Sequence, residues 1–184
     1  MGSAHLASSL PSTIVTEDRS CFAAFQREFD YLCRTLRRLG VRSDDLEDEV
    51  HEIFLVLNRK WEDYDSSRPL RPYLFGIAFR VVAASKRRQI REQPGHLEDV
   101  ADRAPRPDEA LEAAYARAMV LRALRRVPLA RRAVLVMHDI DEVPMREIAE
   151  ALSLPIFTGY SRLRKARREF EAAVQALKKR KREP

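Results

Sequence analysis

The amino-acid sequence predicts an all-α protein, two small helical domains joined by a flexible acidic linker. Three observations predict it. Only 5 of the 184 residues are Gly, under the usual share of about 7%, and hairpins and phosphate-cradling loops both consume glycine. Apolar residues recur at spacings of three and four along most of the chain, the period of amphipathic helices. Between Glu92 and Glu109 that period stops, and four turn-forming residues (Pro94, Gly95, Pro105, Pro107) stand among six acids and two arginines, a composition that marks a linker.

In order, residues 1–20 read as a disordered leader with neither a basic start nor an apolar run. Phe22, Phe25, Phe29, Leu32, Leu36 and Leu39 make one helix face, which Gly40 should end. A second helix follows with Ser43 as cap; Leu46, Val50, Ile53, Phe54, Leu57 and Trp61 form its single apolar stripe. Glu62 to Pro72 reads as a loop, and a third helix with Leu74, Ile77, Val81 and Ala84 inward ends in Lys86-Arg87-Arg88. These make a first domain at 21–92, with the linker at 93–109. A second domain at 110–178 begins with a helix to Arg126; Pro128 opens another that holds Val134 to Val136, and two more follow from Pro144. Residues 179–184 are a basic tail.

Composition narrows the function. With 45% hydrophobic and 34% charged residues the chain is a folded one, too interrupted by charge to be a membrane protein. The net charge of +6 suits a polyanionic partner. Cys21 and Cys33 lie about 18 Å apart on one helix, too far for a disulfide, which fits reduced thiols in the cytoplasm. His5, His51, His96 and His138 are scattered, with no HExxH, metal spacing, GxSxG or Walker loop. No enzyme activity, metal, cofactor or small-molecule substrate is expected.

Three constellations point elsewhere. Residues 144–170, PMREIAEALSLPIFTGYSRLRKARREF, read as a short helix, a tight turn and a second helix from about Ile156 to Leu177, with the small Ala149 at the crossing. That is the grammar of a helix-turn-helix. Ile156, Tyr160, Leu163, Phe170, Val174 and Leu177 should face the core, leaving Phe157, Thr158, Ser161, Arg162, Lys165 and Arg168 for phosphates and base edges. Gly159 would let the helix approach DNA closely. Second, Asp44, Asp45, Glu47, Asp48, Glu49 and Glu52 crowd the start of the second helix with no Lys or Arg among them. The helix dipole accounts for the first turn; the remainder suits either a basic protein partner or a solvated face. Third, Trp61, Tyr64, Tyr73, Phe75 and Phe79 lie near Arg68, Arg80, Lys86, Arg87, Arg88 and Arg91, the pairing of rings and charge that single-stranded nucleic acid favours. Some of those rings should be core.

In this order the features resemble the extracytoplasmic function (ECF) family of bacterial RNA polymerase sigma factors, over about Phe22 to Leu177. Asp45-Leu46-Glu47-Asp48-Glu49-Val50-His51-Glu52-Ile53-Phe54-Leu55 is similar to the family's D-x-E-D-L-V-Q-E-V-F-L of region two. Tyr73-Leu74-Phe75-Gly76-Ile77-Ala78-Phe79-Arg80 resembles its W-L-x-x-I-A-R-N, with Tyr for Trp and Arg80 for Asn. In region four, Val127-Pro128, Arg132-Ala133-Val134-Leu135, Glu147-Ile148-Ala149 and Thr158 to Arg167 are similar to L-P-x-x-x-R-x-V-L and E-I-A-x-x-L-G-I-S-x-G-T-V-x-S-R-L-x-R-A-R. Ser153 stands for the turn Gly, Pro155 for the capping Ser, Phe157 for Gly and Gly159 for Val.

The resemblance implies a region two helical bundle and a region four helix-turn-helix. Asp45, Asp48, Glu49, Glu52 and Leu55 would dock on the β′ subunit of core polymerase, and region four on the β subunit. Trp61, Tyr64, Arg68, Tyr73, Arg80, Lys86, Arg87 and Arg88 would capture the melted minus-ten element. Phe157, Thr158, Ser161, Arg162, Lys165 and Arg168 would bind the minus-thirty-five element. An anti-sigma factor would hold the protein inactive. A stand-alone helix-turn-helix regulator is the alternative, but it leaves the acidic helix and the aromatic cluster without a role.

Overall fold

Seven α-helices and one π-helical turn make up the structure, a computed structural model that describes residues 20–92 and 109–182; no strand occurs among the described residues. Residues 1–19 of the leader and residues 93–108 of the linker lie outside them.

Helix α1 spans Cys21–Leu39, α2 Leu46–Arg59 and α3 Leu70–Glu92. Ser20 caps α1 by accepting from the Ala23 N–H at 3.1 Å. Gly40 ends it at φ 85°, and Val41 N–H returns to the Leu36 carbonyl, a left-handed stop that favours glycine. Ser43 is not the cap of α2: residues 43–45 form a turn, and Asp45 precedes the helix without a side-chain cap bond. The helix also stops at Arg59, so Trp61 does not extend its stripe. Helix α3 buries Leu74, Phe75, Ile77, Ala78 and Val82; Ala84, expected inward, is exposed because, two residues after Val82, the helical turn puts it on the opposite side from the buried face.

The second bundle comprises α4 (Glu109–Arg126), α5 (Leu129–Leu135), a π turn (Val136–Ile140), α6 (Met145–Ala151) and α7 (Ile156–Arg182). The π turn was not legible in the sequence, since its apolar residues fit either period. Helix α7 runs through Arg182, so the expected tail after 178 begins as its last turn. On α7, Leu163 is buried and Phe170 and Val174 pack on the core, but Ile156 and Tyr160, expected inward, are exposed. They precede the stretch of the helix that α4 and α5 cover.

The two bundles pack on each other: α1 meets α4 and α5, and α3 meets α6. One apolar cluster runs through both, from Leu32, Ile53, Leu57 and Phe75 to Val134, Met137, Ile148 and Leu163. At about 25 cal/mol per Å² of apolar surface, that continuity favours the packed arrangement. Polar anchors hold its rim. Asp141 accepts from Tyr31 Oη at 3.0 Å and Arg38 Nη1 at 2.8 Å, and Arg71 lies 5.1 Å over the Tyr31 ring.

Candidate nucleic-acid and polymerase interface

The acidic helix divides its carboxylates between two sides. Asp48 and Glu52, one turn apart, are exposed together with Leu55, and Asp45 is partly exposed. Glu49 is a correction. It is 8% exposed, one turn before Ile53 and two before Leu57, both fully buried, so the helical period turns it inward, where a partner cannot reach it. Its charge acts on Lys86 across the bundle, and its Oε2 has no hydrogen-bond partner.

Beyond the end of α2, the chain builds an aromatic ladder. Trp61 stacks on Tyr64 with centroids 5.4 Å apart, and Tyr64 lies 4.9 Å from Tyr73 at 31°. Local bonds fix this loop: Tyr64 Oη donates to the Arg68 carbonyl, and Asp65 accepts from the Ser67 N–H and hydroxyl. Those two bonds hold the Asp65 carboxyl below its ordinary range. Burial pushes the Tyr64 and Tyr73 phenols up. Arg80, two turns after Tyr73 on α3, and Arg68 border the same cleft. Phe75 is fully buried, one of the rings that belongs to the core.

Of the eight residues expected at the melted strand, Trp61, Tyr64, Arg68, Tyr73 and Arg80 gather in this region, while Arg87 and Arg88 are exposed further along α3. Lys86 is a correction. Its Nζ reaches back toward the Leu39 carbonyl at 3.5 Å, at the far end of the bundle. Burial, then the charges of Arg132 and Arg125, lower it to about 8. It serves the interior, and nothing in its position offers it to a strand.

The helix-turn-helix is α6, residues 152–155 and α7. Ser153 turns the chain at φ 51°, its N–H on the Glu150 carbonyl, and Leu154 N–H returns to the Ala149 carbonyl at 2.8 Å. A non-glycine residue thus occupies a left-handed position. Phe157 is 84% exposed; Lys165 and Arg168 are exposed, and Thr158, Ser161 and Arg162 partly so. Arg167 is instead committed to Asp139 through two bonds of 2.8 and 2.6 Å. Gly159 is also a correction: it is buried, and a Cβ there would sit 2.5 Å from Met145 Sδ. Its missing side chain serves the crossing of α6 and α7.

Sequence reasoning missed two residues of consequence. Gly76 lies where a Cβ would meet the Ala151 carbonyl at 2.5 Å, and a glycine inside an apolar helix was the signal for a close approach. Arg132 is buried, donating to the carbonyls of Val127, Arg125 and Leu39. Its place in the region four pattern was the only sign.

The described elements are all helical and, with exposed acids on one helix, a cleft of rings and cations and a helix-turn-helix, have the parts of a transcription initiation factor. Sequence models match in both halves: Sigma-70 region 2 over residues 24–92 and Sigma-70 region 4 over residues 117–170. The chain belongs to the sigma-70 family, among its ECF sigma factors, and its function is that of an RNA polymerase sigma factor. It is 27% identical to RNA polymerase sigma factor NccH of Alcaligenes xylosoxydans xylosoxydans, covering 82% of this chain and 84% of that protein. It is 28% identical to RNA polymerase sigma factor CnrH of Cupriavidus metallidurans, over 79% and 81%. Two solved structures share the fold. CnrH in complex with the cytosolic domain of CnrY superposes with a TM-score of 0.59 at 22% identity, covering 86% of this chain and 89% of that one. RpoE in complex with the anti-sigma factor NepR from Bartonella quintana gives 0.66 at 19%, over 83% and 97%. No described helix is long and apolar enough to cross a membrane, and no described cluster of His, Cys, Asp and Glu could hold a metal ion.

Proposed function

We propose that this sigma factor divides its work between domains at 21–92 and 110–178, with the first docking on polymerase and holding melted DNA, and the second reading the duplex upstream. The exposed Asp48, Glu52 and Leu55 meet a basic surface of core polymerase. Tyr64 and Tyr73 stack with unpaired bases while Arg68 and Arg80 take the strand's phosphates. Phe157, Thr158, Ser161, Arg162, Lys165 and Arg168 meet the minus-thirty-five duplex. The observation that carries this reading is the ladder Trp61, Tyr64, Tyr73, beside two arginines and separate from the exposed acids of α2. Stacked rings beside cations suit a single strand, and like charge keeps the acidic face off DNA.

Because one solved neighbour was captured with an anti-sigma factor, we extend the reading to a protein inhibitor of that class. The protein acts without catalysis of its own, in the cytoplasm where polymerase is found. Run-off transcription tests the reading: core polymerase with this protein should yield specific transcripts from a promoter library, and core alone should not. Equal products with and without the protein would reject it.

A further inference from the structure

We infer that the start of α7 reads thymine methyl groups in the major groove, through the rings of Phe157 and Tyr160. This rests on the duplex-reading assignment above and names what that surface recognises.

Phe157 is 84% exposed, more than any other large apolar side chain among the described residues, and Tyr160 is 53% exposed, with Ile156 beside them at 38%. An apolar patch of this kind at one end of a helix calls for an occupant, and neither ring meets another ring among the described residues. Phe157 also stands where the region four pattern has Gly, so its ring is a property of this chain.

The helix aims both rings outward. Gly159 and Leu163 are buried, Gly159 against Met145 at the crossing with α6. At about 100° per residue, Phe157 lies about 160° around the helix from Gly159 and so faces away from the crossing. Tyr160 lies to one side of Phe157, Thr158 and Arg162 to the other. The outward surface is therefore split lengthwise, with rings along one edge and a hydroxyl and a guanidinium along the other.

The edges of the bases divide in the same way. The thymine C5 methyl is the apolar group among the donors and acceptors of the major groove. The N-terminal residues of a recognition helix are the ones that reach base edges, and Phe157 and Tyr160 belong to the first two turns of α7. A rise of about 1.5 Å per residue sets them about 4.5 Å apart along the helix, close to the spacing of about 3.4 Å between successive bases, so they address neighbouring base pairs. Thr158 and Arg162 are left for the acceptors alongside. The charge of the same helix selects the occupant: Arg164, Lys165 and Arg168 are exposed in the following turns, and a polyanion suits that surface better than an apolar protein segment would.

Core polymerase carrying the full-length chain is used to select duplexes from a pool randomised over the upstream element. Each selected thymine is then replaced by deoxyuridine, which removes the methyl and keeps the pairing. One thymine or two adjacent ones should be enriched, and deoxyuridine there should weaken binding about three- to fivefold per position, as burial of a methyl group predicts. In Phe157→Ser with Tyr160→Ser that penalty should vanish, whereas Arg162→Ala should bind less tightly overall and keep it. Phe157→Leu, still apolar, should retain most of it. Thermal melts of the ring variants should match the parent, since both rings are exposed. Enriched sequences in which deoxyuridine binds as well as thymine, or an equal penalty in the doubly substituted chain, would overturn the proposal and leave the duplex reading standing. Enrichment of no upstream sequence would overturn the duplex reading itself, and the proposal with it.

Discussion

Arg132 and Leu39, 93 residues apart in sequence, meet through a guanidinium N–H that donates to the Leu39 carbonyl at 2.7 Å. Leu39 is the last residue of α1, and the same guanidinium also takes the carbonyls of Arg125 and Val127 at the end of α4. One buried cation thus satisfies acceptors that two helix termini leave open, in the field where a positive charge is favoured. Arg132→Ala should cost at least about 3 kcal/mol, since hydrogen bonds to charged groups are worth about 1.5–3 kcal/mol each. Arg132→Lys should recover little, because a point ammonium cannot reproduce the planar fork. Denaturant midpoints of the three proteins check both expectations; a loss under 1 kcal/mol in the alanine variant would refute the staple.

Lys86 shares that carbonyl and sits beside Arg132 and Arg125, held down to about 8 by burial and by their charge. An unfolded lysine titrates near 10.4. Between those values the unfolded chain binds more protons than the folded one, so stability should rise with pH from about 8 to 10. Below 8 both states hold the proton and the penalty is constant. Lys86→Met should stabilise the protein at pH 7 and flatten that rise. Melting curves at pH 7, 8, 9 and 10 for the two proteins would show it; parallel slopes would mean that Lys86 is not the titrating group.

On α2, Asp48→Lys with Glu52→Lys should abolish binding to core polymerase. Both side chains are exposed, and surface changes of this kind usually alter stability by under about 0.5 kcal/mol. Glu49, turned inward, should behave differently, with Glu49→Lys lowering the melting temperature because it replaces the carboxylate that acts on Lys86 with a further positive charge. Core affinity by anisotropy, beside thermal melts, separates the two outcomes. Unaltered core affinity in the double variant would remove these acids from the docking face.

Tyr73 closes the ladder with Tyr64. Stacking of a base on a ring is worth about 1–3 kcal/mol. Tyr73→Ala should therefore slow transcription from duplex promoters strongly, and from pre-melted templates too, while leaving closed-complex binding nearly intact. A loss in closed-complex binding as large as the loss in open complexes would assign the ring to the core instead.

The helices were legible because their apolar residues keep one period for three or more turns, as from Leu46 to Leu57. Within the site, the sequence brought together the rings and arginines of one local stretch, Trp61 to Arg80. It failed where the deciding neighbour is remote in the chain. Phe22 and Phe29 share the apolar period of α1 yet remain exposed, because Phe54 of α2 meets Phe22 only edge-on and the ring that Phe29 meets, also edge-on, is Phe25 of its own helix. Glu49 and Lys86 read as surface charges since nothing nearby in sequence shows that each points into the bundle. The contact of Arg80 with Ala151 spans 71 residues, and no periodicity encodes it.

Gly159 and Met145 illustrate the same limit and permit a sharp test. The thioether of Met145, itself 4% exposed, fills the space where a side chain at 159 would stand. Shape, rather than helix propensity, then sets the residue at 159, since alanine would gain about 1 kcal/mol from propensity alone. Valine should overfill the crossing, and overpacking commonly costs about 1–3 kcal/mol. Met145→Ala alone should leave a void and cost about 2–5 kcal/mol. Combined, the two changes exchange volume across the α6–α7 contact, so the double variant should be more stable than the sum of the single losses predicts, by 1 kcal/mol or more in a cycle of about the usual precision. Additive losses would mean that the two residues do not share the space. Duplex binding should follow the same pattern, because the crossing sets the angle at which Thr158, Ser161 and Arg162 are presented. If duplex affinity instead fell for Gly159→Val and stayed low when Met145→Ala restored the fold, the glycine would be needed at the DNA as well as at the crossing.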